Sequence, residues 1–116
     1  MKTILLIILI TTSGVFAADW IKPDVLSESK TEEESVTLKC SYEASSEYVY
    51  LYWYRQYPNR ALQYLLYRGA RSWRGSDHTA DNRFQSTASR SSTDLTVSVR
   101  LADTALYYCA LRVGAQ

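Results

Sequence analysis

Apolar and polar residues alternate with a period of two over several short stretches of this chain. Val36, Leu38 and Cys40 alternate with Thr37 and Lys39, and Leu95, Val97 and Val99 alternate with Thr96 and Ser98. Successive side chains of a strand point to opposite faces, so both stretches predict strands with one buried and one solvated side, Leu95 lying in the core. Two more strands are predicted at Leu51 to Tyr57 and at Leu62 to Tyr67, with Pro58-Asn59 as the turn between them. Helical periodicity is hard to find. Short strands joined by polar loops, with no long helix to cross over, predict an antiparallel sandwich or barrel. No internal repeat or low-complexity linker interrupts the pattern.

The first 17 positions follow another rule. Lys2 supplies a positive start, Ile4 to Ile10 is a continuous apolar run, and Val15-Phe16-Ala17 ends in the small residues that a signal peptidase reads. Thr11, Thr12 and Ser13 break the run well short of the roughly 20 apolar residues that a membrane span needs. Residues 1–17 are therefore expected to be a signal peptide cleaved after Ala17, and 18–116 a single domain of about 100 residues. Secretion implies an oxidising compartment. Cys40 and Cys109, the two cysteines of the chain, are expected to be bonded to each other. In the chain-entropy picture, closing a loop of that length stabilises the fold by up to about 4.4 kcal/mol.

Composition narrows the function. The net charge of +1 gives no basis for binding nucleic acid. His78 is the only histidine, which rules out a His-pair metal site and leaves a catalytic triad only a residue in a predicted loop. No glycine motif that would cradle a phosphate is present, and no enzyme, metal or cofactor is expected. Ten tyrosines point elsewhere, since tyrosine offers large amphipathic contact area at low entropic cost.

Three features share one frame. Cys40, Trp53 and Cys109 stand in the Cys, Trp, Cys order of immunoglobulin domains; Tyr107, two residues before the second cysteine, fits the tyrosine corner of that fold. Asp103-Thr104-Ala105-Leu106-Tyr107-Tyr108-Cys109 resembles the D-x-A-x-Y-Y-C signature of variable domains. Within that family, Trp53-Tyr54-Arg55-Gln56-Tyr57-Pro58 and Gln63-Tyr64-Leu65-Leu66 are similar to the corresponding runs of T-cell receptor alpha chains. Cys109-Ala110-Leu111-Arg112 is similar to the point where alpha or delta germline segments stop. The resemblance implies an all-β, variable-type Greek-key sandwich with Trp53 and Tyr107 in its core. It also implies an ion pair between Arg83 and Asp103. One departure stands out: no F-G-x-G joining motif follows Cys109. On the resemblance, the last strand is then missing and the edge beside the Cys109 strand is unpaired, as in an unrearranged segment.

If Trp53, Tyr107 and Cys109 point inward, alternation turns Tyr54, Gln56 and Tyr108 outward. The resemblance makes that face, with Leu62 and Tyr64, the surface that pairs with a second variable domain. It places antigen contacts in two loops: Ser45, Ser46, Glu47, Tyr48 and Tyr50 in the first, and Arg71, Trp73 and Arg74 in the second. Arg112 belongs to the start of a third. Trp73 can equally be a plug over the edge of the core. The implied partners are a T-cell receptor beta or gamma variable domain, peptide presented by a histocompatibility molecule, and signalling subunits reached through constant and membrane parts outside this chain. The implied place is the secretory pathway and then the outer side of the plasma membrane. Two other readings stay open: an antibody light-chain-like domain, and a non-rearranging adhesion or co-receptor domain.

Overall fold

A computed structural model describes residues 2–10, 19–24, 27–30, 35–73, 75, 77–80, 82–98 and 105–114. Among these residues the chain forms strands only: β1 (Lys2–Ile10), β2 (Trp20–Pro23), β3 (Ser27–Lys30), β4 (Ser35–Glu43), β5 (Tyr48–Gln56), β6 (Gln63–Arg71), β7 (His78–Thr79), β8 (Phe84–Ala88), β9 (Ser92–Ser98) and β10 (Leu106–Val113). They build two layers. One sheet has the order β3-β1-β10-β5-β6-β7 and the other the order β2-β4-β9-β8.

The alternation that predicted strands is what fills the space between the sheets. Along β5 every second residue from Val49 to Arg55 is buried and those between are half-buried. Leu38 and Cys40 of β4, Leu95 and Val97 of β9, and Tyr107, Cys109 and Leu111 of β10 meet Leu51 and Trp53 in one core. The Cys40–Cys109 disulfide joins the layers. Trp53 lies directly opposite Cys109 in the β5–β10 ladder and is fully buried. Its indole nitrogen donates to Thr93 Oγ1 at 3.2 Å, and that hydroxyl donates onward to the Thr87 carbonyl at 2.9 Å. Tyr107 is equally buried and lies 6.4 Å from the Phe84 ring.

The β5–β6 hairpin turns at Pro58-Asn59 as expected. Asn59 takes a φ of 59°, which asparagine tolerates better than most residues, and the Arg60 amide donates to the Tyr57 carbonyl at 3.1 Å. Both strands outrun the predicted limits, because the tyrosine-rich stretch before Leu51 and the segment after Tyr67 continue the ladder. The hairpin also contains a bulge that alternation alone does not reveal. Pairing passes from Trp53↔Leu66 to Tyr54↔Tyr64, so Leu65 is an extra residue in β6, and Leu65 and Leu66 are both buried.

In the full-length chain the edge beside the Cys109 strand is covered, whereas a chain cleaved after Ala17 would present it open, as the resemblance implies. Residues 2–10 occupy that edge, β1 running parallel to β10 with Leu5↔Leu106 through Ile10↔Leu111 in register. On its other side β1 pairs antiparallel with β3. The physical reason is that unpaired backbone donors and acceptors accept any extended segment that reaches them, and an isoleucine-rich run has high strand propensity. The cleavage position after Ala17 lies outside the described residues, as do Arg74, Val99 and Asp103, and with Asp103 the expected ion pair. Arg83, its other member, sits with its guanidinium 5.8 Å from the Phe84 ring.

Candidate functional site

The outward side of β5 carries Tyr48, Tyr50, Tyr52, Tyr54 and Gln56 in alternation with the core residues. Because of the bulge, β6 turns both Tyr64 and Tyr67 to the same side, opposite Tyr54 and Tyr52. The rings form a connected sheet of aromatics. Tyr52 stacks on Tyr54 at 6.2 Å and meets Tyr67 at 5.4 Å, and Tyr54 meets Tyr64 edge-on at 6.0 Å. His78 of β7 stacks on Tyr64 at 5.5 Å, and its Nδ1 is 2.7 Å from the Tyr64 hydroxyl. On the other flank the Tyr108 hydroxyl donates to Gln56 Oε1 at 2.9 Å, while the Gln56 amide donates to the Arg60 carbonyl at 3.1 Å. Leu62 is 45% exposed, the one exposed large hydrophobic among the described residues.

The structure thus gathers Tyr54, Gln56, Tyr64 and Tyr108 on one face, with Tyr52, Tyr67 and His78 added, and Leu62 stands exposed just before β6. Burial pushes the Tyr54 and Tyr64 phenols above their ordinary value, so both stay neutral through physiological pH. Flat aromatic area edged with hydroxyl groups suits a protein partner, since the rings bury apolar surface and the hydroxyls remain able to hydrogen-bond.

At the end of the sandwich where β4 passes into β5, two loops meet the start of a third segment. Ser46 is buried rather than presented: its hydroxyl lies 3.2 Å from the Gly114 carbonyl and accepts the Tyr48 amide at 3.0 Å. The Ser45 amide donates to the buried Asp19 carboxylate at 2.9 Å, which ties the first loop to the start of β2. Trp73 of the second loop is half-buried and packs edge-on against Tyr50 at 4.5 Å. Its indole also covers Gly69 and Gly75 so closely that a Cβ built on either would collide with the ring. Across that turn the Gly69 amide donates to Asp77 Oδ1 at 3.0 Å. Trp73 is therefore a plug of its own loop, with part of the ring left at the surface. Arg112 stays exposed with its guanidinium 5.7 Å from the Tyr50 ring.

Arg71 is used internally. It donates to the Ala44, Ser46 and Arg90 carbonyls, and its guanidinium lies 5.2 Å from the Tyr42 ring. Glu47 stands at the surface and accepts from Arg90 at 2.8 Å and from the Ser72 hydroxyl at 3.2 Å. The Arg90 guanidinium holds the Glu47 carboxyl below the usual carboxylate range. A carboxyl whose folded pKa is depressed favours the folded arrangement above its unfolded pKa and loses that contribution as pH falls through the folded value. The Glu47–Arg90 link is therefore expected to persist at pH 5 and to be lost in the acid window below the usual carboxylate range. A carboxyl NMR titration checks this: Arg90→Gln moves the Glu47 midpoint upward. An unchanged midpoint means the contact is not formed in solution.

Among the described residues no group of three or more metal-ligating side chains comes together. Sequence reasoning missed Tyr52, which continues the alternation from Tyr54, and the buried Arg55, which the same alternation turns inward beside Trp53. The Arg55 guanidinium lies 4.7 Å from the Tyr57 ring and 5.1 Å from Phe84, and its Nε donates to Gln63 at 3.0 Å. Tyr67 was hidden by the bulge.

Comparison with known proteins places this geometry. Residues 26–116 match the family model described as Immunoglobulin V-set domain. Human T cell receptor alpha variable 3 is 35% identical over 113 residues, covering 93% of each chain. Human T cell receptor alpha variable 8-6 is 42% identical over 84 residues, 69% of this chain and 70% of that one. The rabbit T-cell receptor alpha chain V region RL-5 is 34% identical over 97% of this chain and 79% of its own. A solved chain from work on the structural basis of T cell specificity and activation by the bacterial superantigen toxic shock syndrome toxin-1 superposes with a TM-score of 0.65. It covers 84% of this chain and 85% of that one at 20% identity, a likeness of fold.

Proposed function

Because the chain belongs to the immunoglobulin V-set family, among the T-cell receptor alpha variable segments, we propose that it recognises antigen as one half of a two-domain receptor. Its aromatic face pairs with the variable domain of a beta or gamma chain, and its loop end forms part of a paratope for peptide held by a histocompatibility molecule. The observation that carries this reading is the face itself. Tyr54, Tyr64 and Tyr108 lie together, with Leu62 exposed just before β6, on the sheet that also holds the strand leading to Arg112. An apolar, aromatic, hydrogen-bonding surface of this kind is what a protein interface core requires.

The loop end supports the second half of the proposal. Of the predicted contact set, Ser45, Glu47 and Arg112 are exposed there, and Tyr48, Tyr50, Arg71 and Trp73 are half-buried. Ser46 and Arg71 serve by holding the loops. The reading takes residues 1–17 as a secretory leader, places the domain on the outer side of the plasma membrane, and leaves signalling to other subunits. Binding rather than catalysis fits the surface, in which the sole histidine is stacked between tyrosines. An antibody light-chain-like or adhesion role has no comparable support from the alpha-chain relatives.

The test is assembly. The domain is joined to a Phe-Gly-x-Gly strand and an alpha constant region and expressed in T cells lacking their own receptor, with a panel of beta and gamma chains. Surface display with at least one chain, and staining by peptide-loaded histocompatibility multimers after selection, are expected. Failure to reach the surface with every partner overturns the reading.

A further inference from the structure

Arg71 sits at the end of β6 with a φ of 62°, a backbone conformation that L side chains rarely adopt. Glycine would hold this position without strain, so the side chain must return something for it. What it does is visible in its bonds. Nη1 donates to the Ala44 carbonyl at 2.6 Å and to the Ser46 carbonyl at 2.8 Å, both in the first loop. Nε and Nη2 donate together to the Arg90 carbonyl at 3.1 and 2.9 Å, in the turn between β8 and β9. Next to it, in the second loop, the Ser72 amide donates to the Glu47 carbonyl at 2.8 Å. Beneath the guanidinium, the Tyr42 hydroxyl donates to the Ser89 carbonyl at 2.6 Å and anchors the same turn.

We propose that Arg71 is a positioning residue for recognition: its guanidinium, held by a left-handed backbone, fixes the first loop, the second loop and the Ser89–Ser92 turn as one preformed surface. The planar fork matters, because donors set on separate nitrogens reach the first loop and the turn on different sides at once, whereas the three donors of an ammonium radiate from one atom. Preformed loops raise the fraction of molecules ready to bind and so lower the apparent dissociation constant. It follows that the Ser89–Ser92 turn belongs to the recognition end energetically, although 19 residues of chain separate Arg90 from Arg71. This inference rests on the recognition role proposed above, and its test separates the two.

Two variants are compared with the parent in the assembled receptor. Arg71→Gly removes the guanidinium and relieves the backbone; Arg71→Lys keeps the charge without the fork. Hydrogen exchange at the Ser72 and Ser45 amides is expected to speed up at least tenfold in both, while exchange along β5 and β10 stays as in the parent. A Fab raised on the folded receptor, with a footprint across the first two loops, is expected to associate at least fivefold more slowly with both variants. A lysine variant that restores the parent's exchange shows that charge alone suffices and overturns the proposal. So do parent-like exchange in Arg71→Gly and faster exchange with unchanged Fab association. None of these outcomes depends on finding a peptide ligand, so failure of the antigen-binding reading leaves a separate signature.

Discussion

Trp53→Ala is expected to leave the domain largely unfolded at physiological temperature. The indole is the largest fully buried side chain, sits opposite Cys109 and donates to Thr93. Removing it deletes its transfer free energy and leaves a cavity between sheets that the disulfide prevents from closing fully, a loss of roughly 3–5 kcal/mol. Small domains hold about 5–15 kcal/mol in total, and one of this size lies toward the lower end. Trp53→Phe separates the two contributions. It keeps most of the ring and drops the indole donor; since Thr93 still bonds the Thr87 carbonyl, the expected loss is smaller, about 1–2 kcal/mol. Urea unfolding of both variants with the disulfide intact reads the difference. An alanine variant within 1 kcal/mol of the parent is inconsistent with the core described here.

The largest effect on assembly is expected from Gln56→Arg together with Tyr108→Asp. In the free domain these side chains bond each other at one flank of the aromatic face, where water still reaches them. Pairing with a second domain strips that water away. The arginine and aspartate stand within reach of each other and can pair, but burying an ion pair in place of a neutral hydrogen bond still costs about 1–4 kcal/mol, which corresponds to a loss of about tenfold or more in assembly. Secretion of the unpaired domain should change much less. Gln85→Asp, an exposed change on the opposite sheet, serves as the control. Heterodimer at the cell surface is counted by flow cytometry; undiminished assembly in the double variant would place the interface elsewhere.

How much of this was legible follows from how local each signal is. The inward line of Val49, Leu51, Trp53 and Arg55 is written in a period of two, and a reader who places Trp53 inward has placed Tyr54 and Gln56 outward. The Pro58-Asn59 turn is equally local, resting on one fixed φ and one tolerated one. Arg71 is not, because its role lies in carbonyls 19 to 27 residues away and in a backbone conformation that its residue type argues against. Placing it among the contact residues reads its charge and misses its partners. Ser46, placed in the contact loop, is buried for a similar reason: its long-range acceptor, the Gly114 carbonyl, comes within reach only once β5 and β10 lie side by side. Occupation of the β10 edge by residues 2–10 depends on which extended segment reaches an open ladder, a matter of competition between segments that no single stretch encodes.

The extra residue in β6 has a consequence for how this hairpin can change. In a two-period strand, facing is a matter of parity, and Tyr64 and Tyr67 are three apart, so an uninterrupted strand would send them to opposite sides. Leu65 resets the count, with Gln63 and Tyr64 reckoned on one side of it and Leu66 to Arg71 on the other. Straightening the strand without changing its composition would exchange Leu66 with Tyr67, putting a phenol into the core and a leucine on the face. It would also turn Arg71 away from the first loop. Deleting Leu65 would instead keep both counts in step at the loss of one core side chain. The Pro58 to Leu62 connection carries no such bookkeeping, so lengthening it leaves every facing intact. Variation in length is therefore expected at the hairpin tip, whereas within β6 only removal of the extra residue itself keeps every facing.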